Sequence, residues 1–262
     1  MPRPASPHVT GYEGDFFATS HPRIIAHRGL ALAAPENTLL AFLTALSAGA
    51  THLETDVHAS ADGIAVISHD PDLNRLVGRE VAVGQLTMAE LRRIDLGAGQ
   101  SFVSLADALD AFPEARFNID IKAEAAEAGA AAAIRAARAT RRVLITSFDE
   151  GRRRRTADAL PGVASSASVS RVLVSVIAGK LGISPLVRRS LAGLVATQVP
   201  ERSGRFRVVT RRTVAAIHAA GREVHVWTVN DPEDMNRLLD LGVDGIVTDR
   251  CDVLKGVVDS RI

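Results

Sequence analysis

Two carboxylates, Glu54 and Asp56, sit on one short apolar run, and a few residues later the chain reaches His69 and Asp70, with Asp62-Gly63 in between. A second run, "RFNIDIK", ends on Asp120 and Lys122, and a third, "RIIAHR", ends on His27 and Arg28. Residues two apart on a strand share a face, so Glu54 and Asp56 point the same way, as do Asp120 and Lys122. Three carboxylates in one low-dielectric pocket repel strongly when ionised and unpaired, and a divalent cation relieves that repulsion. Hard oxygen donors without cysteine favour Mg²⁺ or Ca²⁺, so Glu54, Asp56 and Asp120 are the expected ligands of one divalent cation. Arg28 and Lys122 belong beside a cation only if an anion lies between them, and a phosphate suits a guanidinium fork and an ammonium. His27 and His69 then match the two proton transfers of phosphodiester hydrolysis, one from the nucleophile and one to the leaving alkoxide. The metal would neutralise charge building on the phosphoryl oxygens.

These side chains need a frame that brings distant strand ends together. Strand candidates fall at 23–28, 52–57, 116–121, 143–148, 163–168, 194–199, 223–229 and 245–249, each followed by helix-like sequence. Eight such units make a closed (β/α)₈ barrel, an α/β fold whose active sites lie at the carboxyl ends of the strands. An open doubly wound sheet is disfavoured, because no Gly-rich phosphate fingerprint follows the first strand. The strand ends also carry Phe148, Trp227 with Asn230, and Asp249. The stretch "ENTLLAFLTALSAG" reads as a helix opening after Pro35 and stopping at Gly49.

One strand-like run, "GIAVISHD" (63–70), follows the second strand too closely for a parallel crossover, so it must fold back antiparallel. With Asp62-Gly63 as a two-residue type I′ turn, Ala61 pairs with Ile64, Ala59 with Val66, Val57 with Ser68, and His69 falls opposite Asp56. The excursion as a whole, about 58–112, is expected over the mouth as a lid or side wall.

Several of these residues also have plainer readings. Phe148 and Trp227 are core aromatics or walls of the pocket. Asn230 caps the helix starting at "DPED", and Asp249 orients a neighbouring group or caps the last helix. Glu36 suits the positive end of a first helical turn, with a catalytic role open. His52, His58, His218 and His225 default to structural roles, and "RRRR" at 152–155 to a solvated helix face.

The chain has 262 residues, 47% hydrophobic and 23% charged, which suits one large domain over 21–262 behind a loose leader at 1–20. A net charge of +1 gives no field for nucleic acid. One cysteine, Cys251, cannot form an internal disulfide, and no secretory or membrane-spanning segment is evident, so a cytoplasmic protein is expected. Residues 159–200 have no acid but carry Arg171, Lys180, Arg188 and Arg189 among Val, Leu and Ile. That pattern allows a weak membrane-surface contact, although an outer helix with its apolar stripe laid on the barrel is the expectation.

In order, "AHRG…APENTLLAF…GATHLETDV…DGIAVISHDPDLNRL…NIDIK…SF…VWTVN…GIVTD" resembles the glycerophosphodiester phosphodiesterases from about residue 23 to 250. The resemblance implies a barrel, a divalent metal and hydrolysis of a small-molecule glycerophosphodiester to glycerol 3-phosphate and an alcohol. It implies His27 and His69 as the acid/base pair, Glu54, Asp56 and Asp120 on the metal, and Arg28 and Lys122 on phosphate. Phe148 and Trp227 would wall the glycerol side. It further implies that the glycerol hydroxyl beside the phosphate attacks first, giving a cyclic phosphate that water opens. Two positions depart from the family pattern: Asp120 stands where glutamate is usual, and Thr51 where an acid is common. Aspartate at the first is nearer the sphingomyelinase D-type phospholipases, so a lysophospholipase D or sphingomyelinase D-like lipid phosphodiesterase is one alternative. A non-catalytic barrel binding phosphorylated ligands or membrane is another.

Overall fold

A computed structural model describes residues 9–261. Its main sheet has nine strands: β1 (Arg23–His27), β2 (His52–Ala59), β3 (Ala65–Ile67), β4 (Phe117–Ile121), β5 (Val143–Thr146), β6 (Ala164–Ser165), β7 (Ala196–Pro200), β8 (Glu223–Trp227) and β9 (Gly245–Thr248). All but β3 are parallel, in the order β6-β5-β4-β2-β1-β9-β8-β7, and the ring closes through a parallel bridge between Ser166 and Ala196. The eight expected strands are therefore all present, joined into a (β/α)₈ barrel.

Alternation along each strand explains the closure. Ile24, Ala26, Leu53, Val57, Phe117, Ile119, Val143, Ile145, Val224, Val226 and Ile246 belong to one large apolar cluster. The same cluster holds Phe42 of α1 (Leu39–Ser47), Leu105 and Leu109 of α2 (Leu105–Ala111) and Ile134 of α3 (Ala126–Ala136). Fully burying each large side chain contributes about 1.5–3 kcal/mol, so the layer between strands and helices carries the fold. The alternate positions are polar and buried: Arg23, His52, Glu54, Asp56, Asn118, Asp120, Glu223 and His225.

The polar column is sealed below by residues expected to be loose. Phe16 and Phe17 are buried against Leu144, Ala164, Val195 and Ala196, and Phe16 O accepts a 2.7 Å hydrogen bond from His52 Nε2. The leader reading is thus corrected for residues 9–20, where two adjacent aromatics plug the barrel without any periodic pattern; residues 1–8 lie outside the described residues. Beside the plug, Arg23 pairs with Glu223 at 2.9 Å and His225 with the same carboxylate at 2.9 Å. His52, His58, His218 and His225 all make structural hydrogen bonds, as expected.

The hairpin forms, but one residue out of the expected register. Val57 pairs with Ile67, His58 with Val66 and Ala59 with Ala65, so Asp56 meets Ser68, whose N–H donates to Asp56 O at 3.0 Å. Gly63 alone of the Asp62-Gly63 pair has positive φ, at 77°. Gly63 N donates to Ser60 O and Ser60 N to Ile64 O, which makes a three-residue loop ending in a left-handed residue. Hydrophobic matching decides the register: Val57, Ile67, Ala59 and Ala65 share the main core, whereas Val66 faces a second cluster.

That second cluster, Val66, Leu73, Val83, Met88, Leu91, Ile94 and Phe102, gives the excursion its own small core. The excursion stands as a side wall of the cleft, to which it contributes His69. Helix α1 begins later than expected, capped by Thr38, so Glu36 lies in the preceding loop rather than a first helical turn. The helix from 150, α4 (Glu150–Asp158), is less solvated than the "RRRR" reading implies: Arg153 is buried on Glu150 and Ser165, and Arg152 donates to the carbonyls of Ile121 and Lys122.

The segment 159–200 reverses another expectation. It contains α5 (Val169–Leu181) and α6 (Ser184–Ser190). The large apolar side chains Val169, Leu173, Val174, Ile177 and Leu181 of α5 face solvent instead of the barrel. No described helix is long and apolar enough to cross a membrane. The remaining barrel helices are α7 (Arg211–His218), α8 (Pro232–Asp240) and α9 (Cys251–Asp259).

Candidate active site

Strand register gathers the candidate residues at one end of the barrel. His27 is level with Glu54, Glu54 with Asn118, and Asp56 with Asp120. These residues, with Arg28, Lys122, His69, Phe148 and Trp227, line one cleft of about 470 Å³. The supporting residues Asn230, Asp249 and Glu36 are not part of this lining, and Asp249 and Glu36 reach it through His27 and Arg28.

Each histidine is held by a carboxylate. His27 Nδ1 donates to Asp249 Oδ1 at 2.6 Å, and Asp249 Oδ2 accepts from Asn230 Nδ2 at 2.7 Å. Asn230 Oδ1 is fixed in turn by Thr248 Oγ1 and the Asp249 N–H, both at 2.9 Å. The cap of α8 is Asp231, not Asn230, which corrects the capping reading and leaves Asn230 to hold Asp249. Burial pulls the His27 pKa down, but the hydrogen bond to Asp249 and the Glu54 charge outweigh it and raise it. His69 Nδ1 donates to Asp70 Oδ1 at 2.7 Å, and its backbone carbonyl accepts from His58 Nε2 at 3.2 Å.

Asp70 belongs to a longer chain of charges that sequence reading missed. Arg75 donates to Asp70 and, through both terminal nitrogens, to Glu36, whose Oε1 also accepts from Arg28 at 3.1 Å. Arg28, Glu36, Arg75 and Asp70 thus alternate in sign from the first strand to the side wall, where Asp70 meets His69. The arginines override burial and lower the Glu36 pKa; with His69, Arg75 does the same to Asp70. The sequence signal was Asp70 beside His69; Arg75, far from Glu36 along the chain, gave none.

Arg28 itself takes a left-handed backbone, φ 58°, which turns its N–H onto the carbonyl of Glu54 at 3.0 Å and its Oε2 at 3.2 Å. Such an outlier is held only where its surroundings over-determine it. Gly29 follows at φ 86°, and a Cβ there would lie 2.7 Å from the Ala41 backbone, so the turn after β1 requires glycine.

The three acids are almost wholly buried. Burial, then the Asp56 charge, push Glu54 up to about 8 against the pull of His27; Asp120 is raised by burial although Lys122 opposes it. Lys122 Nζ bridges Asp56 at 2.9 Å and Asp120 at 2.7 Å, and these carboxylates override burial to push it up to about 12. The ammonium also lies 5.6 Å from the Phe148 ring centre, and Phe148 is 6.0 Å from Trp227. Both rings wall the cleft rather than fill the core. Beyond them the wall is apolar: Val169, Val172, Leu173 and Val176.

Even with Lys122 in place, positive charge is short. Asp56 Oδ2 and Asp120 Oδ1 are buried without a hydrogen-bond partner. Arg28 Nε approaches Asp56 Oδ2 at 3.3 Å, but neither atom gains a hydrogen bond from the misaligned contact. An unpaired buried carboxylate oxygen is costly, and an oxygen-ligated divalent cation would satisfy both. The oxygen-only chemistry of these donors suits the expected cation, although Glu54, Asp56 and Asp120 do not bring one oxygen each within 4.8 Å of the others. At the opposite end, among the described residues, His21, Glu223 and Asp244 bring donor atoms within 4.8 Å of one another. There the Arg23 guanidinium already pairs with Glu223, whose carboxyl is held well below the usual range, despite burial, by hydrogen bonds from His21, His225 and Arg23.

Comparison with known proteins agrees with this geometry. The Glycerophosphoryl diester phosphodiesterase family model matches residues 27–253. A Mycobacterium tuberculosis protein, probable glycerophosphodiester phosphodiesterase 2, is 44% identical over 239 residues, 90% of each chain. Among solved structures, an Oleispira antarctica phosphodiesterase in complex with the product sn-glycerol-3-phosphate aligns with TM-score 0.73 and 25% identity, over 91% of this chain and 97% of that one. Glycerophosphodiester phosphodiesterase from Agrobacterium tumefaciens aligns with TM-score 0.74 and 25% identity, over 90% and 99%. The chain belongs to the glycerophosphoryl diester phosphodiesterase family and is a phosphodiester hydrolase on a (β/α)₈ barrel.

Proposed function

We propose that the cleft hydrolyses glycerophosphodiesters to glycerol 3-phosphate and an alcohol, with His27 and His69 as the acid/base pair and one Mg²⁺ or Ca²⁺ held by Glu54, Asp56 and Asp120. The observation that carries this reading is two imidazoles, each fixed through Nδ1 by its own carboxylate, on a cleft where Asp56 and Asp120 each keep a buried oxygen without a hydrogen bond. Fixing Nδ1–H leaves each Nε2 to move a proton. One imidazole takes the proton of the glycerol hydroxyl as it attacks phosphorus, and the other gives one to the departing alkoxide. Reversal of the two roles lets water open the resulting cyclic phosphate. Arg28 and Lys122 hold the phosphoryl oxygens, and Phe148 and Trp227 flank the glycerol. When bound, the cation supplies charge stabilisation at those oxygens. The product named in the Oleispira antarctica structure supports the glycerol 3-phosphate assignment.

The apolar wall from Val169 to Val176 favours a second reading, in which the glycerol carries a long acyl chain, as in a lysophospholipid, and the headgroup alcohol is released from an acylated glycerol phosphate. Glycerophosphocholine, glycerophosphoethanolamine and lysophosphatidylcholine assayed side by side separate the two. Glycerol 3-phosphate from the water-soluble diesters is the expected result, and none from either would overturn the first reading.

Asp249→Asn is expected to lower kcat on the order of 10²-fold, because the amide no longer fixes the His27 tautomer. The carboxylate raises the His27 pKa, so its loss moves the corresponding limb of the pH–rate profile to lower pH. An unmoved limb would mean that Asp249 acts only structurally.

A further inference from the structure

Helix α5 is built inside out. Towards the protein it turns Ser175, Val176, Ala178 and Gly179, all buried. Gly179 is the reason: a Cβ there would lie 3.2 Å from Ala216 Cβ of α7, so small residues permit a close helix approach. The large side chains are left outside. Val169, Leu173, Ile177 and Leu181 recur every four residues on one solvent-facing stripe, the last three 58%, 49% and 65% exposed. Ile183 and Leu186 carry the stripe round the corner into α6.

The charges carried by the segment itself have a single sign, Arg171 being paired with Glu150 of α4. No acid occurs from Ala159 to Pro200. Arg188 and Arg189 are exposed on α6, and Lys180 on α5 donates to the carbonyl of Arg207. That bond ties α5 to a small hairpin, Arg202–Ser203 with Phe206–Arg207, where Phe206 is 75% exposed between Arg205 and Arg207. An exposed apolar stripe followed in the chain by the exposed cations Arg188 and Arg189 fits the headgroup–acyl boundary of an anionic membrane. A second copy fits poorly, since two-fold pairing would set one arginine pair against another. The stripe is also continuous with the reaction cleft, because Val169 and Leu173 belong to both.

We propose that α5, the α5–α6 corner and the Phe206 hairpin form a docking surface for an anionic phospholipid bilayer, onto which the active-site cleft opens. The full-length chain sediments with vesicles of equal parts phosphatidylglycerol and phosphatidylcholine at low salt, and about 10-fold less with phosphatidylcholine alone. Ile177→Glu with Leu181→Glu, or Arg188→Glu with Arg189→Glu, reduces sedimentation by a similar factor or more. Circular dichroism and hydrolysis of a water-soluble diester, neither needing the membrane, stay as in the parent. Wild-type protein that ignores anionic vesicles, or variants that bind them equally, would overturn the proposal. So would a dimer in light scattering that the Ile177/Leu181 variant dissociates while no vesicles are bound. A chain that docks but yields no glycerol 3-phosphate would count against the proposed reaction and leave the surface standing.

Discussion

Alanine at His27 or His69 is expected to lower kcat on a water-soluble glycerophosphodiester by about 10²–10⁴-fold, the usual contribution of a positioned acid or base. Folding should hardly register either change. The His27 side chain spans the rim from β1 to Asp249, His69 leans on Asp70, and neither belongs to an apolar cluster. Chemical denaturation should therefore place both variants within about 1 kcal/mol of the parent. The paired variant is informative too. If both imidazoles serve one step, removing the second costs far less than removing the first, since residues acting as a unit are not additive. Retention of turnover within a factor of about three by either single variant would remove that histidine from the chemistry, whatever its position on the cleft.

Metal removal is the second large effect. Dialysis against a chelator is expected to abolish hydrolysis, with recovery on adding Mg²⁺ or Ca²⁺. A readout independent of turnover is thermal stability. An ion at about 100 times its Kd stabilises the folded state by about 2.7 kcal/mol, which for a domain of this size raises Tm by roughly 5–10 °C. The sign with pH follows from Glu54, which burial and the Asp56 charge push up to about 8. Below that value the ion must displace a proton, so the ion-induced rise in Tm is larger at pH 9 than at pH 6. Asp120→Asn keeps shape but loses one charge and should shrink the rise. A Tm indifferent to both ions, in protein that still turns over after chelation, would refute the cation assignment.

Most of the barrel was legible because each strand obeys a period of two, with the apolar set on the helix side and chemistry at the carboxyl end. The site was legible for the same reason: Glu54 and Asp56, then Asp120 and Lys122, share faces by spacing alone. The hairpin register was not, although its turn was seen. Asp-Gly admits a two-residue or a three-residue loop, and only the pairing of Val57 with Ile67 and Ala59 with Ala65 chooses between them. His69 still reaches the cleft, carried by its own neighbours rather than by a place opposite Asp56. The Glu36–Arg75 pair and the Phe16–Phe17 plug are contacts between distant segments and leave no periodic trace. In α5 the apolar stripe was visible, but its direction was set by Gly179 against Ala216, a partner that one helix cannot reveal.

The barrel closes unevenly. Between β7 and β8 five residues pair in register, whereas the joint between Ser166 and Ala196 is crossed by two backbone hydrogen bonds, Val195 N to Ser165 O and Ala167 N to Ala196 O. Helices α5 and α6 are inserted at that joint. The ring is thus a strap with one short buckle, and whatever pulls or presses on the two helices acts first on the fastening rather than on the catalytic strands across the barrel. Amide exchange should be quicker at the buckle, across the barrel from the carboxylates that line the cleft, than along the five-residue pairing of β7 with β8.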